Sequence, residues 1–326
     1  MLETIIGALL PAFATVLLGY FAARHHDFGP KDTPVLIRMV MTYALPLAIF
    51  VGTVSLPRST LVADLPLLVA LAGAMVVVYG VVFAVCRFVL RFSVGASLLW
   101  SLAASTPDVP YVGPVVITYL YGPGGNIPIA IGSIVLNITV VPLTIILLAR
   151  YAGGGEKQPT RADVLAKIVA GLKEPVVWFP LLGFTLVLMG IRVPALIAGS
   201  LALLGHAAAG VALFTVGIIL ATYRVQVNRF VLSLVSVKNL LQPALVCVGL
   251  LAMGYSRPLL GEAVMTAALP MITLIPILAA RYQLAETEAA SAMFLSFAFS
   301  LLTLGLFTAL TGGEPHYAQV LNGGVP

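Results

Sequence analysis

A chain of 326 residues that is 60% hydrophobic and only 9% charged, with a mean hydropathy of +1.09, cannot hide its apolar surface in a water-soluble globule. Composition therefore predicts an all-α integral membrane protein, and the formal net charge of +5 is read as a topology signal in short loops rather than as a nucleic-acid surface. Cys86 and Cys247 both fall in apolar stretches, which excludes a disulfide framework and a four-ligand metal site, and no cofactor is expected.

The amino-terminal run MLETIIGALLPAFATVLLGYF has no positive leader and no small-residue cleavage site, so it reads as a first retained span. Apolar runs long enough to cross a bilayer as helix follow near 35 to 54, 65 to 86, 95 to 121 and 127 to 149. A polar connector at 150–174 carries Gly153-Gly154-Gly155 and much of the loop charge. Five more runs lie near 175 to 190, 195 to 221, 239 to 255, 263 to 281 and 289 to 311. The expected layout is ten transmembrane helices: a five-helix unit at 1–149, the connector, and a second five-helix unit at 175–326.

Lysine and arginine set the expected orientation. Arg24, Lys31, Arg38, Arg87, Arg91, Arg150, Lys157, Arg161, Lys167, Lys173, Arg224, Arg229, Lys238 and Arg281 fall on the side of the odd-numbered loops, against Arg58, Arg192 and Arg257 on the other. Fourteen against three places the odd loops in the cytoplasm and both termini outside it.

The fourth span holds the strongest functional signal. Ala103 to Gly122 contains Pro107, Pro110 and Pro114, each without the N–H a continuous helix needs, so a helix should unwind near Asp108 and resume beyond Pro114. Unwound backbone at membrane depth belongs where it lines a cavity or is buried in protein, and a carboxylate inside it marks an ion or substrate path. The plainer role for Asp108 is to cap the following half-helix through the N–H groups of Val109 to Tyr111. No Lys or Arg is expected deep enough in a span to neutralise it, and no second carboxylate to partner it. A buried Asp108 would then carry a coupling proton, or hold a sodium ion with nearby carbonyls.

The two units share landmarks at a nearly constant offset. Leu17-Leu18-Gly19-Tyr20 with Pro30 corresponds to Leu181-Leu182-Gly183-Phe184 with Pro194, and Ala48-Ile49-Phe50 to Ala212-Leu213-Phe214, at 164 residues. Pro107 with Tyr119 corresponds to Pro270 with Tyr282 at 163. Five spans per unit require the repeats to be inverted. Inverted repeats whose fourth and ninth spans are both broken by proline (Pro270 and Pro276 in the ninth) point to a secondary transporter with its site at the midplane.

At these residues the chain resembles the auxin efflux carrier family. The similarity rests on Leu45-Pro46-Leu47-Ala48-Ile49-Phe50, on Pro107-Asp108-x-x-Tyr111-x-Gly113 with Gly122, and on Asn137 with Pro142. Later it rests on Ala267-Ala268-Leu269-Pro270, Ala279-x-x-Tyr282, Ala289-Ala290-Ser291 and Ser300-x-x-Thr303. The resemblance implies that spans 1, 2, 6 and 7 form a scaffold and spans 3 to 5 and 8 to 10 a transport unit in which broken spans 4 and 9 cross. It also implies elevator-type alternating access, a homodimer through spans 2 and 7, and a multi-pass protein of the cytoplasmic (inner) membrane. Bacterial members include proteins described as malonate carriers, and plant members export auxin. Two departures stand out: the family usually has Asn where this chain has Asp108, and its usual Gly-x-Pro is here Gly113-Pro114.

The candidate substrate site therefore comprises Pro107, Asp108, Val109, Pro110, Tyr111 and Gly113 at the first break, with Pro270, Met271, Ile272 and Thr273 at the second. Ser133 and Asn137, one turn apart on the fifth span, face the break or simply pack the bundle. Half-helix N-termini would supply the donors for a small carboxylate such as malonate. His206, His25 and His26 read as packing or loop residues, and Gly19, Gly52, Gly217 and the run 207–210 as close-packing faces. An intramembrane enzyme would need paired catalytic groups that the sequence lacks. A sodium/proton exchanger using Asp108 is the nearest competitor.

Overall fold

The structure, a computed structural model, describes residues 2–29, 31–55, 65–109, 112–113, 116–117, 126–151, 173, 175–222, 225–256 and 259–311. Among these residues the regular elements are helical. In chain order they are α1 (Leu2–Arg24), α2 (Thr33–Val54), α3 (Leu65–Ala84, continued by Val85–Val89), α4 (Val94–Ser105), α5 (126–151) and α6 (Pro175–Leu188). Then come α7 (Ala195–Thr222, interrupted at His206), α8 (Arg229–Ala252), α9 (Leu259–Ala268), α10 (Leu274–Tyr282) and α11 (Glu286–Thr311). Five described helical runs are long and apolar enough to cross a membrane, at Thr33–Val54, Leu67–Val89, Ala195–Thr222, Arg229–Ala252 and Glu286–Thr311. The expected fourth and ninth runs are divided, as the prolines require.

Proline also accounts for three of the four widened turns among the described residues, the fourth being Val85–Val89 at the end of α3. Wide turns with i to i−5 bonding occur at Val40–Ala44 in α2, Leu136–Val140 in α5 and Val237–Leu241 in α8. Each ends two residues before a proline, Pro46, Pro142 or Pro243. A proline cannot donate to the carbonyl four residues back and its ring crowds that carbonyl; one widened turn absorbs the conflict while the helix continues.

Glycine builds the close helix contacts, Gly205 of α7 against the Ala48 backbone of α2 among them, and two of these contacts correspond. On α1 and α7 the backbones meet directly: a Cβ on Gly19 would lie 2.0 Å from the Phe214 carbonyl oxygen, and one on Gly217 would lie 2.1 Å from that of Val16. On α2 and α6, Gly183 faces Phe50 and Thr53 at about 3.3 Å. Gly183 and Phe214 stand 164 residues beyond Gly19 and Phe50, so the two contacts use the same pair of positions with the partners exchanged. Gly52 and Gly210, expected on close-packing faces, have open space where a Cβ would project. Their helices turn those positions away from the described part of the protein.

The largest correction concerns α8. Sequence reading started the eighth span at 239 and left Lys238 in a cytoplasmic loop, but the helix begins at Arg229 and Lys238 is fully buried within it. The loop tally becomes thirteen against three. The expectation that no basic residue lies inside a span is therefore wrong. Glu262 is a second correction: it sits in the first turn of α9 with only 8% of its surface exposed, so Asp108 is not the one carboxylate drawn into the helices.

Candidate functional site

The two breaks form because each begins at a proline. A residue preceding proline is pushed out of helical geometry, and Thr106, before Pro107, is extended at φ −117°, ψ 117°. The extended pieces following α4 and α9 cross and pair as a short antiparallel bridge between Pro107 and Met271. The Asp108 N–H donates to the Pro270 carbonyl at 2.8 Å and the Ile272 N–H to the Thr106 carbonyl at 3.2 Å. Backbone groups that the helices abandon are thus satisfied across the crossing, which is what allows unwound chain in an apolar layer.

Helix α8 supplies a polar collar around the crossing. Lys238 Nζ donates to the carbonyls of Ala267 and Leu269, both at 2.9 Å, where α9 ends. Gln242 Nε2, one turn along, donates to the Ser105 carbonyl at the end of α4. Asn239 Nδ2 donates to the Ser296 carbonyl at 2.8 Å and its Oδ1 accepts from Ser296 Oγ at 2.6 Å; that hydroxyl in turn accepts the Met271 N–H at 2.8 Å. An ammonium group at a helix C-terminus also meets the negative end of its dipole. The widened turn Val237–Leu241 lies within this collar, so the proline at 243 helps aim the side chains that close both broken helices.

Asp108 lies at the centre of the arrangement and is fully buried. Its Oδ2 accepts the Thr273 hydroxyl, and the Thr273 backbone N–H also faces the carboxylate. Thr273 is the N-cap of α10 and makes no side-chain cap bond of its own, because its hydroxyl is turned to Asp108. The carboxylate of the first break therefore caps the half-helix of the second. Lys238 interacts with it electrostatically, while the ammonium hydrogen bonds go to carbonyls. Asp108 Oδ1 has no hydrogen-bond partner among the described residues, nor does Gln242 Oε1. Both atoms are acceptors, so what they can take is a proton, a cation or a donor group of a ligand.

The other expected residues divide into three groups. Pro107, Val109, Pro270, Met271, Ile272 and Thr273 are all at the crossing, and Val109 sits between Gly113 and Gly132, whose Cβ positions would lie within 3.6 Å of it. Gly113 also meets Leu269 at 3.4 Å. Asn137 is buried and Ser133 half-buried on α5, but Thr273, not either of them, holds the Asp108 carboxylate. Pro110 and Tyr111 lie outside the described residues. His206 is exposed, and so are His25 and His26.

Lys238, Asn239, Gln242 and Ser296 were missed. One signal was available: Asn228 precedes an apolar run and caps it, its Oδ1 accepting the Val231 N–H at 2.8 Å. That cap would have started the eighth span ten residues earlier and drawn Lys238 into the bilayer. A polar recess of about 560 Å³ lies between α2 and the end of α10, lined by Thr33, Arg38, Thr42, Arg281, Gln283 and Glu286.

Comparison with known proteins agrees with this architecture. The chain is similar over residues 4–308 to a family described as "Membrane transport protein". It is 32% identical to "Uncharacterized transporter YfdV" of Escherichia coli (strain K12) over 257 residues, covering 77% of this chain and 80% of that one. Over 320 residues it is 24% identical to the "Putative malonate transporter" of Rhizobium meliloti (strain 1021), covering 95% of this chain and 97% of that one. Among solved structures, the sodium proton antiporter MjNhaP1 from Methanocaldococcus jannaschii aligns over 95% of this chain and all of that one, with a TM-score of 0.51 and 15% identity, a likeness of fold. With apolar helices broken at a polar crossing and a family match over nearly its whole length, the chain belongs to the auxin efflux carrier family of membrane transport proteins.

Proposed function

We propose that the protein is a proton-coupled secondary carrier of a small organic anion, a mono- or dicarboxylate of the malonate type. The observation that carries this reading is the buried Asp108 carboxylate, bonded to Thr273 across the two breaks, with the Lys238 ammonium at the end of α9 beside it. A neutral pair of charges offers an incoming anion little. Protonating Asp108 at Oδ1 leaves the Thr273 bond at Oδ2 in place and the Lys238 charge uncompensated, and an anion then restores neutrality. Proton and anion are bound together because each removes the cost of the other.

Ten spans in two inverted repeats frame this mechanism. The exchange of partners between Gly19–Phe214 and Gly183–Phe50 supports the repeat, since two halves related by a pseudo-twofold axis would make contacts of this reciprocal kind. So does the pairing of Pro107 and Asp108 with Met271 and Pro270, which stand 163 residues beyond them. The unit carrying the crossing would move against the tight α1 and α7 pair, with both termini on the outer side of the cytoplasmic membrane. Scaffold contacts of two copies through α2 and α7 would complete a homodimer.

A second reading, sodium/proton exchange, has one observation in its favour: Asp108 Oδ1 and Gln242 Oε1, which have no hydrogen-bond partner among the described residues, are both acceptors, and Asp108 already fills the α10 N-terminus that a substrate anion would want. Proteoliposome flux decides between them. In the carrier, malonate uptake follows an imposed pH gradient without sodium, and Asp108→Asn keeps a measurable anion affinity while its transport loses pH dependence. Sodium-driven proton flux without carboxylate uptake would replace the carrier reading with exchange. Unchanged pH dependence in an active Asp108→Asn variant would remove the proton role altogether.

A further inference from the structure

On the face of α8 away from the crossing, a groove of about 590 Å³ runs between α3 and α8. Val77, Val81 and Val85, one turn apart, line one wall, and Phe230, Leu234 and Leu241 the other. It extends along α3 from Val77 to Leu90, about 20 Å at 1.5 Å per residue, which is more than the roughly 15 Å depth of one hydrocarbon leaflet. One end is basic. Phe92 and Phe230 stack edge to face with centroids 5.1 Å apart; Arg91 and Arg229, both exposed, are their chain neighbours, and Arg229 itself lines the groove. Arg87, exposed one turn before, donates to the Phe92 carbonyl at 3.1 Å and steadies that end.

We propose that this groove binds an anionic phospholipid, with an acyl chain along the valine wall and the phosphate on Arg91 and Arg229. A small hydrophilic acid would leave its hydration behind for about 20 Å of hydrocarbon wall, whereas an acyl chain meets like surface and its headgroup meets the arginines at the membrane edge. The position has a consequence for transport. Val237 and Leu241 line the groove and also bound the widened turn that carries Lys238 and Asn239. A seated chain therefore backs the polar collar from behind, and its loss loosens the side chains that close α4 and α9.

The test is native mass spectrometry of the full chain released from micelles holding phosphatidylglycerol and phosphatidylcholine in competition. Phosphatidylglycerol should be retained over phosphatidylcholine by about fivefold per arginine, on the order of twentyfold for the pair. Arg91→Gln with Arg229→Gln should bring the two lipids near parity. Val81→Trp should fill the groove and remove the bound lipid, with Ser233→Trp as the same obstruction from the opposite wall and a melting curve to verify folding. The proposal fails if the parent holds both lipids alike, or if folded groove-filling variants keep phosphatidylglycerol as the parent does. It fails equally if filling the groove splits a dimer and leaves the lipid count unchanged, since the occupant is then a second copy of the chain.

Discussion

Two crossings organise this protein, and they are built on opposite principles. Where α1 meets α7, glycine lets backbone lie on backbone, and the neighbours of Gly217 are the Val16 carbonyl, the Tyr20 nitrogen and the Gly19 Cα. Where the breaks meet, side chains from α8, α11 and the N-cap of α10 complete a network of charges and hydrogen bonds around Asp108. In lipid the first kind of contact rests on close van der Waals fit and offers no alternative partners. The second can exchange a proton or a ligand without losing its neighbours. A fixed joint and a polar switch therefore lie in one small bundle, and variants can separate them.

The joint should give the largest effect. Gly217→Val places a branched side chain against carbonyl and amide atoms that cannot rotate away, so the cost exceeds the roughly 1 to 3 kcal/mol of ordinary overpacking. The expected outcome is loss of folded protein, read as a collapsed melting transition or aggregation in detergent. A variant that melts with the parent would mean that the α1 and α7 backbones are not in contact.

At the switch, Lys238→Met should spare the fold better and damage function more. Removing one charge of a buried pair costs about 3 to 5 kcal/mol of folding stability when its partner is left uncompensated, short of the collapse expected at Gly217, while anion binding loses the ammonium charge it depends on. Combining Lys238→Met with Asp108→Asn removes that imbalance. The double variant should recover most of the thermal stability but none of the anion transport, and recovery of neither would deny the electrostatic link between the two residues.

The contrast between the crossings also explains what was legible in the sequence. Pro107 and Pro270 announce the breaks because the missing N–H is a property of the residue itself, and Gly19 and Gly217 announce a close contact for a similarly local reason. Lys238 was hidden by a rule that is usually sound: a lysine at the margin of an apolar run is ordinarily a loop residue. What defeats the rule is tertiary, since two carbonyls freed by a break 29 and 31 residues away and a carboxylate from the other break make its burial tolerable. The first half offers no hint, as Ala74 and Met75, at the corresponding offsets, are apolar and Met75 is buried. The polar collar thus belongs to one half alone, and no search for repeated features would have found it. The cap weighed for Asp108 was on its own half-helix through Val109 to Tyr111, whereas its carboxylate bonds Thr273 at the start of the half-helix of the other break.

Thr273→Val should act more mildly than either charge variant. It preserves shape and deletes the hydroxyl held by Asp108 Oδ2, at about 1 to 3 kcal/mol if the carboxylate oxygen stays buried and unpaired. The backbone N–H of Thr273 remains, so substrate affinity should fall while the melting temperature changes little. Thr273→Ser, which restores the hydroxyl, should recover the affinity. If valine and serine variants bind alike, the hydroxyl is incidental and Asp108 is held by the backbone alone.

The smallest effect on the single chain is expected at Gly52 and Gly210, and it carries the comparison beyond one copy. Both are exposed, on α2 and α7, and neither has an atom within 4 Å of where a Cβ would stand. Replacing them by alanine inside a helix should leave folding unchanged or improve it by about 0.5 to 1 kcal/mol per site, since glycine is the poorer helix former. That is the reverse of Gly217, although sequence reading placed all three on one kind of face. Leucine at both positions adds the bulk that a close helix contact cannot accept, yet within one copy it meets open space. If α2 and α7 form the homodimer contact, the leucine variants should melt as the parent does while their dimer mass in detergent shifts to monomer. A dimer that persists with both leucines in place would move the interface elsewhere and leave these glycines facing lipid.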